Sequence, residues 1–303
     1  MKEKRIDFLG CPVDNLTMGE VIQQIDFFIG SGWRHQIIPL NASKLFLMSR
    51  HPLLAQILKT SDLVVPEYAV VWGSRRLNKP LVEHIGGIML MRTILEMAPL
   101  RGYKLYFLGA RQPVVEQMVT RLKLSYPGLN IVGYHHGYFN DSVEGTVIAD
   151  INASHPDILF VAMGTPKQEY WIHQYKTVLN VPVAIGVGGS FDVFAGLRKE
   201  APSWMRHGFE WIYRLVQDPQ NLWRRYLFTN LYFIYRVFVE KLRITCVNRD
   251  VKKMKARIVQ RSKRQSPNHL RQKTTPSQIS QFNGKNFLPQ KQEFNYSQKS
   301  ALF

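Results

Sequence analysis

A carboxylate at the end of an apolar run, and two glycine-rich turns that follow other apolar runs, are the parts of this sequence best suited to chemistry. Glu67 sits in Pro66-Glu67-Tyr68, directly after Leu63–Val65. Partial desolvation at the tip of a buried strand raises a carboxyl's affinity for protons, which suits a general base. The same residue can instead serve only the macrodipole of a following helix. The two glycine-rich segments are Asp157-Ile-Leu-Phe-Val-Ala-Met-Gly-Thr-Pro-Lys-Gln-Glu169 and Ala184-Ile-Gly-Val-Gly-Gly-Ser-Phe-Asp192. Glycine leaves room for a ligand to approach the backbone closely. In open α/β sheets ligands lie outside the carboxyl ends of the strands. Two such ends in succession describe a crevice for something flat and anionic, a nucleotide foremost.

In the first segment, Pro166 stands where a helix should begin, and a helix N-terminus offers unpaired N–H groups to phosphate. Lys167 adds a point charge, and Gln168 offers both a donor and an acceptor to a sugar or base. A routine strand-to-helix turn with surface Lys and Gln would read the same way. In the second segment, Gly186, Gly188 and Gly189 lead to Phe191, so the dinucleotide pattern G-x-G-x-x-G is not completed. Asp192 can accept from a ribose or sugar hydroxyl, or can cap a helix. Asn41, after another apolar run, has the same two options. His135 and His136 adjoin each other, but no third ligand is spaced to complete a metal site, which favours a loop or packing role. No Asp-x-Asp pair occurs. Such carboxylates commonly hold the Mg²⁺ of a nucleotide diphosphate, so arginines or lysines would have to neutralise a diphosphate leaving group here. Arg214, Arg224 and Arg225 are suited to that.

The elements that must position these groups follow from periodicity. Strands are expected near 36–40, 63–65, 104–108, 130–134, 158–162 and 183–187. Helices are expected near 43–58, 87–97, 113–126 and 143–153. Another begins after Thr17, whose hydroxyl can close a capping box with Glu20. Alternating strands and helices imply βαβ units, hence an α/β fold: a Rossmann-like, mostly parallel sheet with helices on both faces. Residues 1–202 are read as this domain. Residues 203–248 carry no strand-like run and are read as a helical appendage rich in Arg and aromatics, with Pro219 opening a new helix. Interleaved cations and aromatics on helices also suit a bilayer interface. Residues 249–303, rich in Lys, Arg, Gln, Ser and Asn, are read as a disordered basic tail.

The net charge of +18 is concentrated at that end. From Lys241 onward there are fifteen Lys and Arg against two acids, so +13 lies there and the first 240 residues are only mildly basic. This argues against a specific nucleic-acid-binding domain, although a basic tail can touch RNA nonspecifically. Two cysteines, Cys11 and Cys246, make no disulfide framework and suit a reducing cytosol. No stretch at the amino end has the length of a signal peptide's apolar region, and no uninterrupted apolar run is long enough to span a bilayer. No cofactor is expected.

Together these segments resemble the WecG/TagA/CpsF glycosyltransferases of bacterial polysaccharide and teichoic-acid synthesis, from about Ile6 to about Leu242. The ordered motifs are Asn41 after a strand, Val64-Val-Pro-Glu67, Tyr106-Phe-Leu-Gly-Ala110, Asp157 to Trp171, Ile185 to Gly196, Arg198-Lys-Glu-Ala-Pro202, and Glu210-Trp-Ile-Tyr-Arg214 through Arg224-Arg-Tyr226. The resemblance implies an inverting, metal-independent enzyme. Its donor would be UDP-N-acetylmannosamine or a related UDP-sugar, and its acceptor a sugar on a polyprenyl diphosphate at the cytoplasmic face of the membrane. The appendage would help close the site and reach the membrane surface, and self-association into a homo-oligomer is suggested. Carried over by position, Asn41, Gln168 and Asp192 look like substrate-site residues. The strand-end glycines Gly109, Gly164, Gly188 and Gly189 join them, with Lys167, His84 and the three arginines.

Three positions depart from the family pattern. Pro-Asp-Gly becomes Pro66-Glu67-Tyr68, so the expected base is one methylene longer. His84 stands where Arg is usual, and Met89 where Asp is usual in Gly87-Ile-Met-Leu-Met91. A weakened or non-catalytic nucleotide-sugar-binding homologue is therefore an alternative. A nicotinamide-dependent oxidoreductase is a second, weakened by the broken glycine pattern and by the absence of a matching first βαβ unit.

Overall fold

The computed structural model describes residues 5–199, 202, 210–217 and 219–265. The chain divides into two compact units, Met1–Asp250 and Val251–Phe303.

A short hairpin opens the chain: β1 (Arg5–Phe8) pairs antiparallel with β2 (Cys11–Asp14). It turns through Leu9 and Gly10, at φ 54° and 86°. Each strand has only four residues, too short a pattern to read as an element from sequence. Helix α1 (Met18–Gly30) follows, and its Thr17–Glu20 capping box is formed as expected. Next come β3 (His35–Leu40), α2 (Ala42–Met48), α3 (Pro52–Thr60), β4 (Leu63–Pro66) and α4 (Tyr68–Arg76). The single helix expected over 43–58 is two. Pro52 has no N–H to continue α2, and it holds the preceding His51 in extended geometry, at φ −124° and ψ 95°.

The remaining body is α5 (Gly87–Arg101), β5 (Lys104–Gly109), α6 (Gln112–Ser125), β6 (Asn130–His135), α7 (Asp141–Ser154), β7 (Ile158–Ala162), α8 (Lys167–Tyr175), β8 (Val183–Gly186) and α9 (Ser190–Phe194). Helix α10 (Glu210–Gln217) and helix α11 (Pro219–Gln265) complete the described chain. α11 starts at the proline expected to open it. It continues past the expected boundary at 249, and residues 266–303 lie outside the described part.

Six strands form one parallel sheet in the order β4-β3-β8-β7-β5-β6. Successive side chains of a strand face opposite sides, and these strands are apolar on both. Leu105, Phe107, Ile158, Phe160 and Ile185 pack into a core beneath α1, α5, α6 and α9. Tyr106, Leu108, Leu159, Val161 and Ala184 face the other way, toward α7 and α8. At the other end of that second face, Ile38, Leu40 and Val64 meet α2, α3, α4 and the hairpin. The hairpin also protects the edge strand β4: Asp14 Oδ2 accepts the Val64 N–H at 2.7 Å, while its Oδ1 pairs with Arg5 Nε at 3.2 Å. Burial pushes the Cys11 thiol up to about 12, so this residue belongs to the core and not to any thiol chemistry.

The first part of α11 docks on this second face. Phe233 and Val237 are buried among Phe8, Leu40 and Val71. Gly73 of α4 is the notch that admits them: a Cβ there would lie 2.8 Å from Phe8 Cζ, 3.0 Å from Phe233 Cζ and 3.2 Å from Val237 Cγ2. Gly73→Val is therefore expected to destabilise the fold by about 1–3 kcal/mol, the usual cost of overpacking a dense core. Denaturant unfolding of the two proteins measures this, and an unchanged midpoint would show that the notch is not filled as described.

Candidate active site

All six strands run the same way, so their carboxyl ends share one edge of the sheet. Across that edge lie Glu67 after β4, Asn41 after β3, the Gly188-Gly189 turn after β8, Gly164 after β7, Ala110 after β5 and His136 after β6. Backbone bonding continues past the strands themselves. Glu67 N–H donates to Leu40 O, Val187 N–H to Val161 O, and Ala110 N–H to Ala162 O, each at 2.9 Å. The chain leaves β7 toward β8 and leaves β5 toward β6, in opposite directions, so the topological switch point lies between the tips of β5 and β7.

Asn41 takes the capping option, and its other end reaches Glu67. Its Oδ1 caps α2 by accepting the Lys44 N–H at 3.0 Å, while its Nδ2 donates to Glu67 Oε1 at 3.3 Å. One amide can fill both roles because it carries donors and an acceptor. Glu67 is the N-cap residue of α4, yet its side chain makes no capping bond. The carboxylate is turned toward Asn41 instead.

The glycine turn is shaped by Gln168. This residue is buried, and its Oε1 accepts the Gly188 N–H at 3.0 Å. Its amide lies across Gly186, where a Cβ would approach Nε2 to 2.6 Å. Gly188 itself has φ 54°, the region glycine tolerates without strain. Asp192 is not a helix cap, since Gly189 holds the N-cap position of α9. The Asp192 carboxylate faces the turn: a Cβ on Gly189 would lie 3.8 Å from Oδ2. Arg198 Nε stands 3.9 Å from the same oxygen.

Two residues beneath this edge were not singled out by the sequence. Lys44 and Glu169 are both buried and pair at 3.1 Å through Nζ and Oε1. Nζ also donates to Pro39 O at 2.6 Å, and Gln168 Nε2 donates to the same Glu169 oxygen at 2.8 Å. Gln36 Nε2 fixes the Glu169 backbone carbonyl at 3.2 Å. Removing one partner of such a pair typically costs about 3–5 kcal/mol, because it strands a charge away from water. Only the fold reveals the pairing.

The other expected site residues are placed as follows. Gly109 and Gly164 end β5 and begin the loop after β7, on either side of the switch point, at φ 145° and 79°. Gly109 is required by its neighbour, since a Cβ there would meet Ala162 O at 2.5 Å. Pro166 is the N-cap residue of α8, and Lys167 opens that helix. The Lys167 side chain leans to the His135–Phe139 loop, with Nζ 3.4 Å from Gly137 O and 5.9 Å from the centre of the Phe139 ring. His135 and His136 pack ring to ring at 4.5 Å, and among the described residues no cluster of His, Cys, Asp or Glu could hold a metal ion.

His84 adjoins the β4 tip, where Ile85 N–H donates to Pro66 O at 2.6 Å. Its ring meets Tyr68 edge-on, with centroids 5.7 Å apart. Met89 lies in the first turn of α5, whose N-cap Gly86 has no side-chain capping bond. The adjoining Gly87 would bring a Cβ within 3.7 Å of Val187 O, so this helix start also reaches the β8 tip. Arg224 is exposed and stacks over Trp223 at 5.2 Å. The side chains of Arg214 and Arg225 lie outside the described part.

Residues 6–246 match the profile of the Glycosyl transferase WecG/TagA/CpsF family. A protein of Bacillus spizizenii (strain W23) is 39% identical over 194 residues, covering 63% of this chain and 74% of its own length. A protein of Staphylococcus aureus (strain MW2) is 34% identical over 244 residues, covering 79% of this chain and 94% of its own. Both are named N-acetylglucosaminyldiphosphoundecaprenol N-acetyl-beta-D-mannosaminyltransferase. With the match spanning the α/β body and the start of its helical appendage, the chain belongs to the WecG/TagA/CpsF family of glycosyl transferases.

Proposed function

We propose that this chain transfers a sugar, N-acetylmannosamine or a close relative, from UDP to a sugar carried on a polyprenyl diphosphate. The observation that supports it most is the Asn41–Glu67 contact of 3.3 Å on neighbouring strand tips, on the edge that also carries the Gly188-Gly189 turn. Strand tips are spaced by about 4.8 Å. The carboxylate and the switch-point crevice are three strands apart, on the order of 15 Å along the edge. That span suits a nucleotide diphosphate sugar laid across the tips, with its anomeric carbon toward Glu67.

In this reading Glu67 takes the proton from the attacking acceptor hydroxyl. The oxygen adds to the anomeric carbon as the bond to UDP breaks on the opposite face, so configuration inverts. Asn41 holds the carboxylate in line, and the Gly188 and Gly189 backbone admits the donor. Asp192 accepts from a sugar or ribose hydroxyl. Charge growing on UDP is met by guanidinium groups, Arg214 with Arg224 or Arg225, supplied by the appendage. Assigning that work to arginines is what makes the reaction metal-independent, consistent with a sequence that lacks Asp-x-Asp.

The acceptor's lipid places the enzyme at the inner face of the cytoplasmic membrane. No described helix is long and apolar enough to cross one. Helix α11 does present a row of exposed apolar residues, Trp223, Leu227, Leu231, Ile234, Phe238 and Leu242, flanking buried Phe233 and Val237. An apolar stripe flanked by basic residues suits reversible attachment to an anionic surface, at about 1 kcal/mol per headgroup-contacting Lys or Arg. Self-association fits the same apolar stripe.

A second reading, a catalytically weakened binding homologue, is favoured by one observation: Tyr68 and His84, both departures from the family pattern, pack together beside the carboxylate.

A screen of UDP-sugars with a short lipid-diphosphate sugar acceptor should release UDP without added divalent ions. Glu67→Gln is expected to lower that rate by about 10²–10⁴-fold, the typical contribution of a general base, with unfolding unchanged. UDP release as fast as wild type would remove Glu67 from its role. Binding of UDP without turnover on any donor would favour the second reading, and preference for NAD over UDP would overturn both. Vesicles containing anionic lipid should sediment the protein at low salt and release it at high salt. Equal binding to neutral and anionic vesicles would reject the electrostatic attachment.

A further inference from the structure

The Lys44–Glu169 pair carries an assignment beyond the catalytic reading, and it rests on that reading's placement of the donor at the glycine turn. A buried ion pair is weak evidence for stability, since apolar residues of similar volume often serve as well. This one is costly in another way: Glu169 Oε2 is buried without a hydrogen-bond partner. What the pair does supply is orientation. Gln168 could present either end of its amide to Gly188, and only its oxygen can accept the Gly188 N–H. The amide is held that way round because its nitrogen faces Glu169 Oε1 at 2.8 Å. An ionised carboxylate is acceptor-only, and the Lys44 ammonium at 3.1 Å gives that buried charge its counter-ion.

We infer that Lys44 and Glu169 are positioning residues for the donor. They lock the Gln168 amide, which sets the Gly188 turn against which the nucleotide diphosphate of a sugar donor binds. Lys44 also links this turn to the general base. Its backbone N–H holds Asn41 Oδ1 at 3.0 Å, and Asn41 in turn holds Glu67 at 3.3 Å. Its ammonium is tied to Pro39 O on β3 at 2.6 Å. One residue therefore fixes the spacing between the carboxylate and the turn.

The test measures donor KM and kcat separately for Glu169→Gln, Lys44→Met and the double variant, with thermal unfolding beside them. Glu169→Gln brings an N–H to a place that must accept, which lets the Gln168 amide turn over and expel the Gly188 N–H. Misplacement of the turn should raise donor KM on the order of tenfold, with a smaller effect on kcat. The double variant strands neither charge; it should unfold near the wild-type temperature and keep the raised KM. A folded double variant with wild-type donor KM overturns the assignment. Independently of any variant, the Gly188 amide of the full chain should resist hydrogen–deuterium exchange. Exchange as fast as an unbonded loop amide would overturn the assignment even if no variant folds. Wild-type protein that releases UDP from no donor would defeat the functional reading, whereas active wild type with indistinguishable variants defeats this inference alone.

Discussion

The ladder of a parallel sheet does not stop where its strands do, and the proposed chemistry of this protein depends on that. Hydrogen bonds from Glu67, Val187 and Ala110 to the neighbouring chain fix the first residue beyond three separate strands. Glu67, Asn41 and the Gly188 turn are far apart in the chain, yet their separations are set by strand spacing and by backbone bonds, not by loop packing. A loop alone would leave such groups to move by an ångström or more, enough to cost about a hundredfold in rate. The two cores on either face make the ladder rigid. Phe107 stacks on Phe160 at 5.5 Å on one side, while Tyr106, Leu159 and Val161 are buried on the other.

Much of this was legible in the chain. The strands were readable as apolar runs, and the capping box and the start of α11 were readable as single residues with one dominant local role. The glycine turns were legible because small residues after an apolar run have few other uses. What escaped the sequence were features whose meaning is tertiary. Lys44 and Glu169 are charged residues on helices, and such residues are almost never fully buried unless paired. Their pairing spans more than a hundred residues of chain, so no local pattern could report it. Gly73 lies inside a helix with nothing nearby in sequence to explain it; Phe8 and Phe233 explain it in space. Pro52 was a signal that periodicity overrode: the apolar spacing ran on through a residue that cannot continue a helix.

Gln168 shows how a residue read as a ligand-binding group can have its polar atoms engaged within the protein. A donor and an acceptor at a helix start read naturally as ligand-binding groups. In the fold the side chain is buried, with its oxygen on Gly188 and one N–H on Glu169. What it does in the fold is shape the Gly188 turn. Asn41 was read as either a cap or a ligand for a substrate hydroxyl; in the fold it caps α2, and its Nδ2 donates to Glu67.

The departures from the family pattern gain meaning from their arrangement. Had Tyr68 and His84 pointed to different parts of the molecule, each would read as an independent loss. Their rings instead meet edge to face at 5.7 Å, a contact of the kind worth about 0.5–1.5 kcal/mol beyond its burial. Tyr68 directly follows the carboxylate, and the His84 segment is bonded to the β4 tip through Ile85. The two side chains therefore meet as one wall on the segments that flank Glu67. A longer carboxylate beside a bulkier wall is a coherent change of shape. If the wall narrows the approach to Glu67, it is this one contact, and not two separate losses, that divides a weakened homologue from an active enzyme.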